Sequence, residues 1–473
     1  MQAAPETDLL SDQQATEVLS PGVYVHTFGC QMNVYDSDQM VRSLLEEGFE
    51  PVLSPSEAEL ILVNTCSIRE KAEQKLLSVL GVYRRYKEEG SSVLICVTGC
   101  VAQQEKARLL KKAPFVDLVV GPDNVHRIAE LVRWRREENR PVVEVDFTRP
   151  DQYRFAKAVP RAGIRKASAF VTIQKGCDKA CTYCIVPFTR GREVSRPYEE
   201  VLAEVERFVD AGVREISLIG QNVNCYAGGC SFSGLLHRVA ATPGLERLRY
   251  ATSHPSEMGE DIFEAHRSID ILCPHLHLPV QSGSDRVLQM MRREHSASDY
   301  LHKVARLRES NPGIALTTDI IVGFPGEREE DFDATMSLVE QVRFTNMFSF
   351  VYSDRPRTWA CRHGDELGRV DSKTAIERLE RLQARQREIS SLEAGKWRGQ
   401  DVEVLVEGPS KKDSSRRQGH TAHNWMAHFS ATDEQAPVGA IARVRVERTS
   451  HVGLSGHLVG IVSWPMRSGD SHA

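Results

Sequence analysis

The sequence predicts an α/β protein of three successive units: a doubly wound parallel α/β unit, an open partial (β/α)6 barrel and a small closed β-barrel. Three observations predict it. Short β-branched apolar runs alternate with helix-length segments, the mark of parallel βαβ units. That alternation stops and then restarts, about six times, which is short of the eight repeats of a closed barrel. The last 70 or so residues change to short alternating strands.

The first unit runs over residues 23–150. Its strands are predicted at 23–29, 60–64, 93–97 and 116–120, with an amphipathic helix at 38–46 and a longer one at 67–86. Residues 151–167 are polar, basic and poorly patterned, and are read as a linker. The central unit spans 168–395. Its strands are predicted at 169–174, 215–219, 247–251, 276–280, 316–322 and 347–352, with helices that include 198–210, 284–293 and 331–342. A charged helix at 371–395 closes it. The final unit, 396–464, has predicted strands at 402–406, 442–446 and 458–462. Residues 1–22 are expected to be a disordered acidic tail and 465–473 a second tail.

Composition narrows the classes. The chain has 473 residues, 41% hydrophobic and 26% charged, as in a soluble globular protein. With 60 Lys and Arg against 65 Asp and Glu, the net charge of −5 gives no blanket basic surface. The first 24 residues carry Glu6, Asp8, Asp12 and Glu17 and no Lys or Arg, the reverse of a signal peptide. No run approaches the ~20 apolar residues of a membrane span. A cytoplasmic protein is expected, and in a reducing compartment its eleven cysteines point to metal or chemistry rather than bridges.

The sharpest motif is Gly176-Cys177-Asp-Lys-Ala-Cys181-Thr-Tyr-Cys184, on the loop after the first barrel strand. Three thiolates on one tight loop can each bind a separate iron of a cubane cluster and leave the fourth iron open. The alternative is zinc, although a structural zinc site takes four ligands. A second set emerges from topology. Cys30, Cys66 and Cys100 each follow a strand of the first unit, and the carboxyl ends of parallel strands lie on one edge, where ligands bind. These three are expected to converge on a second cluster. Cys96, on the same strand as Cys100 and roughly 13 Å from it at 3.3 Å per residue, is expected in the core. Cys225, Cys230, Cys273 and Cys361 are given no role.

Cys-x3-Cys-x-Tyr-Cys after a first strand resembles the signature of radical S-adenosylmethionine (SAM) enzymes. All six cysteines together resemble the methylthiotransferases among them. The stretches that carry the likeness are Thr27–Asn33, Asn64–Lys71, Gly99–Gln104, Gly176–Pro197 and His275–Asp285. The resemblance extends over 23–462 and includes a TRAM-type RNA-binding barrel at the end. It implies two 4Fe-4S clusters, on Cys177, Cys181 and Cys184 and on Cys30, Cys66 and Cys100. The first binds SAM and generates a 5′-deoxyadenosyl radical, and the second carries the sulfur. The SAM contacts implied are Tyr183, Gly220-Gln221, Gln281-Ser282 and Val322-Gly323. With cofactor-borne chemistry, no side-chain catalytic set is named.

The resemblance further implies methylthiolation of C2 of N6-isopentenyladenosine at position 37 of tRNA, with one SAM as radical source and another as methyl donor. Gln31-Met32-Asn33 and Ser67–Lys71 favour that substrate over threonylcarbamoyladenosine or a ribosomal-protein aspartate. A non-catalytic iron–sulfur RNA-binding protein is the alternative from another class. Implied partners are the tRNA anticodon arm, an electron donor such as flavodoxin or ferredoxin, and iron–sulfur assembly proteins. A monomer without membrane contact is expected.

Local charge fits RNA. Between 160 and 196, Arg161, Arg165, Lys166, Lys175, Lys179, Arg190, Arg192 and Arg196 stand against Asp178 and Glu193, a balance of +6 around the cysteine loop. In the last unit Lys411, Lys412, Arg416 and Arg417 are expected in one loop, with His420, His423, Asn424, Trp425 and Phe429 as stacking and hydrogen-bonding groups. An exposed Trp425 supports that reading and a buried one returns it to the core. Two stretches depart from the family pattern: Glu294 stands at a usual glycine, and Arg357 and Trp359 stand where small residues are usual.

Overall fold

The computed structural model describes residues 20–67, 72–89, 92–155, 166–251, 253–411 and 413–464. Most of both expected tails, Ile68–Lys71 of the second motif, Arg161, Arg165 and Lys412 lie outside the described residues.

The first unit is one parallel sheet of six strands, in the spatial order Glu50–Pro51, Gly22–Phe28, Leu60–Thr65, Leu94–Gly99, Leu118–Val120, Val142–Glu144. The two outermost strands, two and three residues long, are too short to show a pattern and were not expected. The central strands Leu60–Thr65 and Leu94–Gly99 are buried along their whole length, which is why they read as unbroken apolar runs. Helices Gln31–Glu46 and Ile128–Glu138 cover one face through Met40, Leu44, Ile128 and Leu131. Helix Ala72–Glu88 covers the other through Leu76, Leu80 and Tyr83. The chain therefore leaves the adjacent strands Gly22–Phe28 and Leu60–Thr65 toward opposite faces, and this opens a crevice at their carboxyl ends.

The central unit holds two three-stranded parallel sheets. One is Ser168–Thr172, Glu215–Ile219, Arg247–Tyr250, and the other His275–His277, Ala315–Val322, Asn346–Val351. A parallel bridge from Leu248 to Leu272 joins them into a six-stranded arc. Among the described residues no pairing links Ser168–Thr172 to Asn346–Val351, so the arc stays open. Met32 and Tyr35 of helix Gln31–Glu46 pack into its core, as do Leu382 and Ile389 of helix Ser372–Gly395.

The last unit is a closed five-stranded barrel. Strands Arg416–Thr421 and Met426–Ser430, polar in sequence, escaped the periodicity reading. Arg416 and Arg417 therefore lie on a strand rather than in a basic loop. The barrel is docked by two arginines of strand Arg247–Tyr250. Arg247 donates to the carbonyls of His420 and Glu403, and Arg249 to those of Thr421 and Ala422. No helix among the described residues is long and apolar enough to cross a membrane.

Burial has a consequence for acid stability. His266 is sealed in the central core with Nε2 2.8 Å from Tyr250 Oη, and desolvation pulls its pKa down to about 4. The unfolded chain takes up this proton near pH 6.5, so stability is full above that value and falls as the pH drops toward 4. This histidine is expected to contribute about 2 kcal/mol of destabilisation at pH 5 relative to pH 7. Urea unfolding at the two pH values checks it, and His266→Gln should flatten the difference.

Candidate functional site

Cys30 caps the start of helix Gln31–Glu46, Cys66 follows Leu60–Thr65, and Cys100 follows Leu94–Gly99. These are three neighbouring strands, and the thiols meet as the topology requires. Cys66 hydrogen-bonds both Cys30 and Cys100. Those bonds hold the Cys30 and Cys100 thiols below their ordinary range, against burial and with help from the nearby Arg190 guanidinium, and they push Cys66 up. Behind the sulfurs is a buried amide network that sequence reading missed. Asn33 Oδ1 accepts from Cys30 Sγ at 3.1 Å, Asn33 Nδ2 donates to Asn64 Oδ1 at 2.7 Å, and Asn64 Nδ2 donates to Asn33 O and Ser37 Oγ. Gly99 makes the fit possible: its φ is +90°, and a Cβ there would overlap Asn64 Oδ1 and Thr65 O. Cys96 lies in the sheet core, as expected.

The second set sits on the loop after Ser168–Thr172. Burial raises Cys177 to about 11 and Cys184 to about 12, with Cys181 close enough to add to both shifts. The loop is tied down on three sides. Gln174 Oε1 accepts from the backbone N–H groups of Gln221 and Asn222, its Nε2 donates to Gly176 O, and Gln221 Oε1 accepts from Gly176 N at 2.5 Å. The turn at Gly220-Gln221 is thereby clamped against the cysteine loop. Arg293, buried, donates to Pro279 O at 2.7 Å and reaches Cys181 Sγ at 3.5 Å. Lys179, inside the loop, pairs with Glu257 and, at 2.7 Å, with Glu294.

The remaining expected contacts divide. Tyr183 packs beside Val287, Met291, Phe324 and Ala360. Gln281, bridged to Ile320 beyond strand His275–His277, and Gly323, just after strand Ala315–Val322, hold left-handed φ values of +75° and +70°, and Val322 is buried. Ser282 is fully buried with Oγ 3.3 Å from Thr335 Oγ1.

Both departures from the family pattern occupy strained backbone: φ is +56° at Glu294 and +74° at Arg357. Glycine relieves about 1 kcal/mol at such a position, whereas an exposed ion pair returns less than that. Glu294→Gly is expected to raise stability by about 0.5–1 kcal/mol, and Glu294→Ala, which keeps the strain and loses the pair, to lower it. Thermal melting of the two variants checks the signs.

A cavity of about 730 Å³ opens over the cysteine loop, lined by Cys177, Cys181 and Cys184, by the 147–150 segment of the first unit, and by Arg292, Trp359 and Arg362. Its size suits a cofactor with part of a substrate. Three members of the expected +6 patch, Lys175, Lys179 and Arg192, line it, but most of the patch is held in ion pairs. Lys175, Arg190 and Arg196 are buried in pairs with Asp123, Asp36 and Glu204, and Lys166, Lys179 and Arg192 pair with acids as well. Exposed cations at the rim are Arg192 of that patch, Arg149, Arg292 and Arg362, with Arg357 over the lining Phe188 ring. Trp425 and Phe429 lie in the barrel core and offer no stacking surface.

Among the described residues no three His, Cys, Asp or Glu side chains converge so as to hold a single metal ion. Each set offers three thiolates, enough for three irons of a cubane cluster and one short of the four ligands of a structural zinc.

An open parallel half-barrel with a three-cysteine loop after its first strand is the architecture of a radical SAM enzyme. The Radical SAM superfamily model matches residues 171–339, and that of the uncharacterised protein family UPF0004 matches 22–121. In fold, the chain is similar to the radical SAM methyltransferase TsrM of Kitasatospora setae, with a TM-score of 0.54 at 15% identity over 72% of this chain and 74% of that one. In sequence it is 50% identical to the tRNA-2-methylthio-N(6)-dimethylallyladenosine synthase of Myxococcus xanthus over 93% of this chain and 95% of the relative. It is 45% identical to the enzyme of the same name from Burkholderia thailandensis over 92% and 97%. The chain belongs to this family of radical SAM transferases, whose cofactors are SAM and 4Fe-4S clusters.

Proposed function

We propose that this chain attaches a methylthio group to C2 of N6-isopentenyladenosine at position 37 of tRNA, in the cytoplasm and as a monomer. The observation that carries the reading is the joining of the two cysteine sets by one short segment. Cys184 lines the cavity, and a single helical turn, Val186–Thr189, leads to Arg190, which pairs with Asp36 close enough to Cys100 to favour its thiolate. Cys177, Cys181 and Cys184 would hold the cluster that binds SAM, and Cys30, Cys66 and Cys100 the auxiliary one. The bound groups supply a carbon radical able to take the unreactive C2 hydrogen, and a sulfur to replace it.

The protein's own part is alignment. Gln174 and Gln221 fix the loop that presents the first cluster, and Lys179 within it ties the loop to Glu257 and Glu294. Tyr183, Gly220, Gln221, Gln281, Val322 and Gly323 frame SAM. Ser282 acts through its bond to Thr335. Arg149, Arg192, Arg292, Arg357 and Arg362 meet phosphates at the cavity rim, which makes binding salt-dependent. A low-potential flavodoxin or ferredoxin would deliver electrons, and iron–sulfur assembly proteins would load the clusters.

Nucleoside analysis of tRNA from a deletion strain tests the substrate. Loss of 2-methylthio-N6-isopentenyladenosine, with the unthiolated nucleoside accumulating, is expected. An unchanged level overturns the reading, and absence of 5′-deoxyadenosine from SAM plus reductant would leave a non-catalytic RNA-binding protein.

A further inference from the structure

Each cysteine set has one buried arginine against it, but the arginine at the N-terminal set is borrowed. Arg190 belongs to the central unit, six residues past Cys184, yet its guanidinium lies among Cys30, Cys100 and Asp36. It is 5% exposed. Its Nη2 stands 2.7 Å from Asp36 Oδ2, and neither atom meets hydrogen-bond geometry there. The pair is thus close in charge but leaves a donor unspent in a buried place. The same guanidinium lies close enough to the Cys100 thiol to favour its thiolate. Asp36 lies on helix Gln31–Glu46, which starts at Cys30, so cation and anion come to one site from two units.

A lone cation sealed against a site is costly unless something negative shares the space. Asp36 offsets its charge. An iron–sulfur cluster on three thiolates carries further negative charge, and hydrogen bonds and net charge at the sulfurs set how readily such a cluster accepts an electron. We propose that Arg190 is a positioning residue of the N-terminal cluster, sent across from the SAM-binding loop to tune its reduction, with Asp36 as the opposing charge. The inference rests on the two-cluster reading above and adds to it a physical tie between the sites. Whatever moves the loop from Cys184 to Arg190 also moves the cation at the other cluster.

The test is reductive titration of anaerobically reconstituted full-length enzyme, followed by electron paramagnetic resonance, for the parent, Arg190→Met, Arg190→Lys and Asp36→Asn at pH 8. Removing the cation makes adding an electron harder, so the midpoint potential of the N-terminal cluster is expected to shift negative in Arg190→Met. Removing the anion does the reverse, so Asp36→Asn is expected to shift it positive. Arg190→Lys should stay near the parent. Opposite signs are the signature, because a purely structural pair would disturb the site alike from either side. Shifts of the same sign, or no shift with both clusters present, overturn the proposal. If Arg190→Met fails to hold the second cluster, Arg190→Lys decides: retention of about eight irons supports the role of charge, and loss in both overturns it. A parent that binds only about four irons would instead refute the two-cluster reading itself.

Discussion

Cys177→Ala and Cys66→Ala, each reconstituted anaerobically, are expected to hold about four irons where the parent holds about eight. The two losses should be independent. Cys177 lies on the central loop and Cys66 between Cys30 and Cys100 on the first sheet, and each set has its own supporting network. In Cys177→Ala, SAM cleavage disappears with the cluster that binds it. In Cys66→Ala the central loop is untouched, so 5′-deoxyadenosine still forms while no methylthio product does. Iron and sulfide analysis with quantitation of 5′-deoxyadenosine separates these outcomes. A single zinc in the parent, or loss of all iron in either variant, would overturn the assignment of two separate sets.

These cysteines were legible in the sequence because their placement follows from local rules. A strand of β-branched residues ends, a cysteine follows, and parallel pairing brings successive ends to one edge. The same logic located the six strands of the open barrel. What surrounds the sulfurs was not legible, because its partners are distant in the chain and ordinary in type. Lys175 and Asp123 are 52 residues apart and belong to different units. Nothing in the string distinguishes them from surface charges. Asn33 and Asn64 stood in the quoted motifs, yet their mutual bonding depends on two strands lying side by side. Trp425 shows the opposite failure. Trp425, just before strand Met426–Ser430, and Ala427 and Phe429 within it alternate inward, a period of two that the polar neighbours concealed. Glu294 and Arg357 stood out as departures, but only the backbone shows that both sit where φ is positive.

Arg196→Met is expected to destabilise the protein by about 3–5 kcal/mol and to leave the salt dependence of tRNA binding unchanged. Arg196 and Glu204 are both fully buried, with Nη1 2.5 Å from Oε2. Arg196 also reaches Thr172 O at the first strand of the arc, and Tyr35 of the first unit donates to Glu204 at 3.4 Å. Removing the cation strands a carboxylate in the core with a single phenol for company, and the penalty is the desolvation of that charge. Counted by position in sequence, Arg196 belongs to the basic segment around the cysteine loop, and a phosphate-contact role would predict weaker binding with a shallower salt slope. Arg292 and Arg362, exposed at the cavity rim, should behave the other way. Alanine at either is expected to reduce the slope of log affinity against log salt by about one, with stability unchanged to within about 0.5 kcal/mol. Denaturant unfolding beside tRNA binding at several salt concentrations distinguishes the two kinds of arginine. A stable Arg196→Met with a reduced slope would put that side chain on the RNA, which its complete burial against Glu204 contradicts.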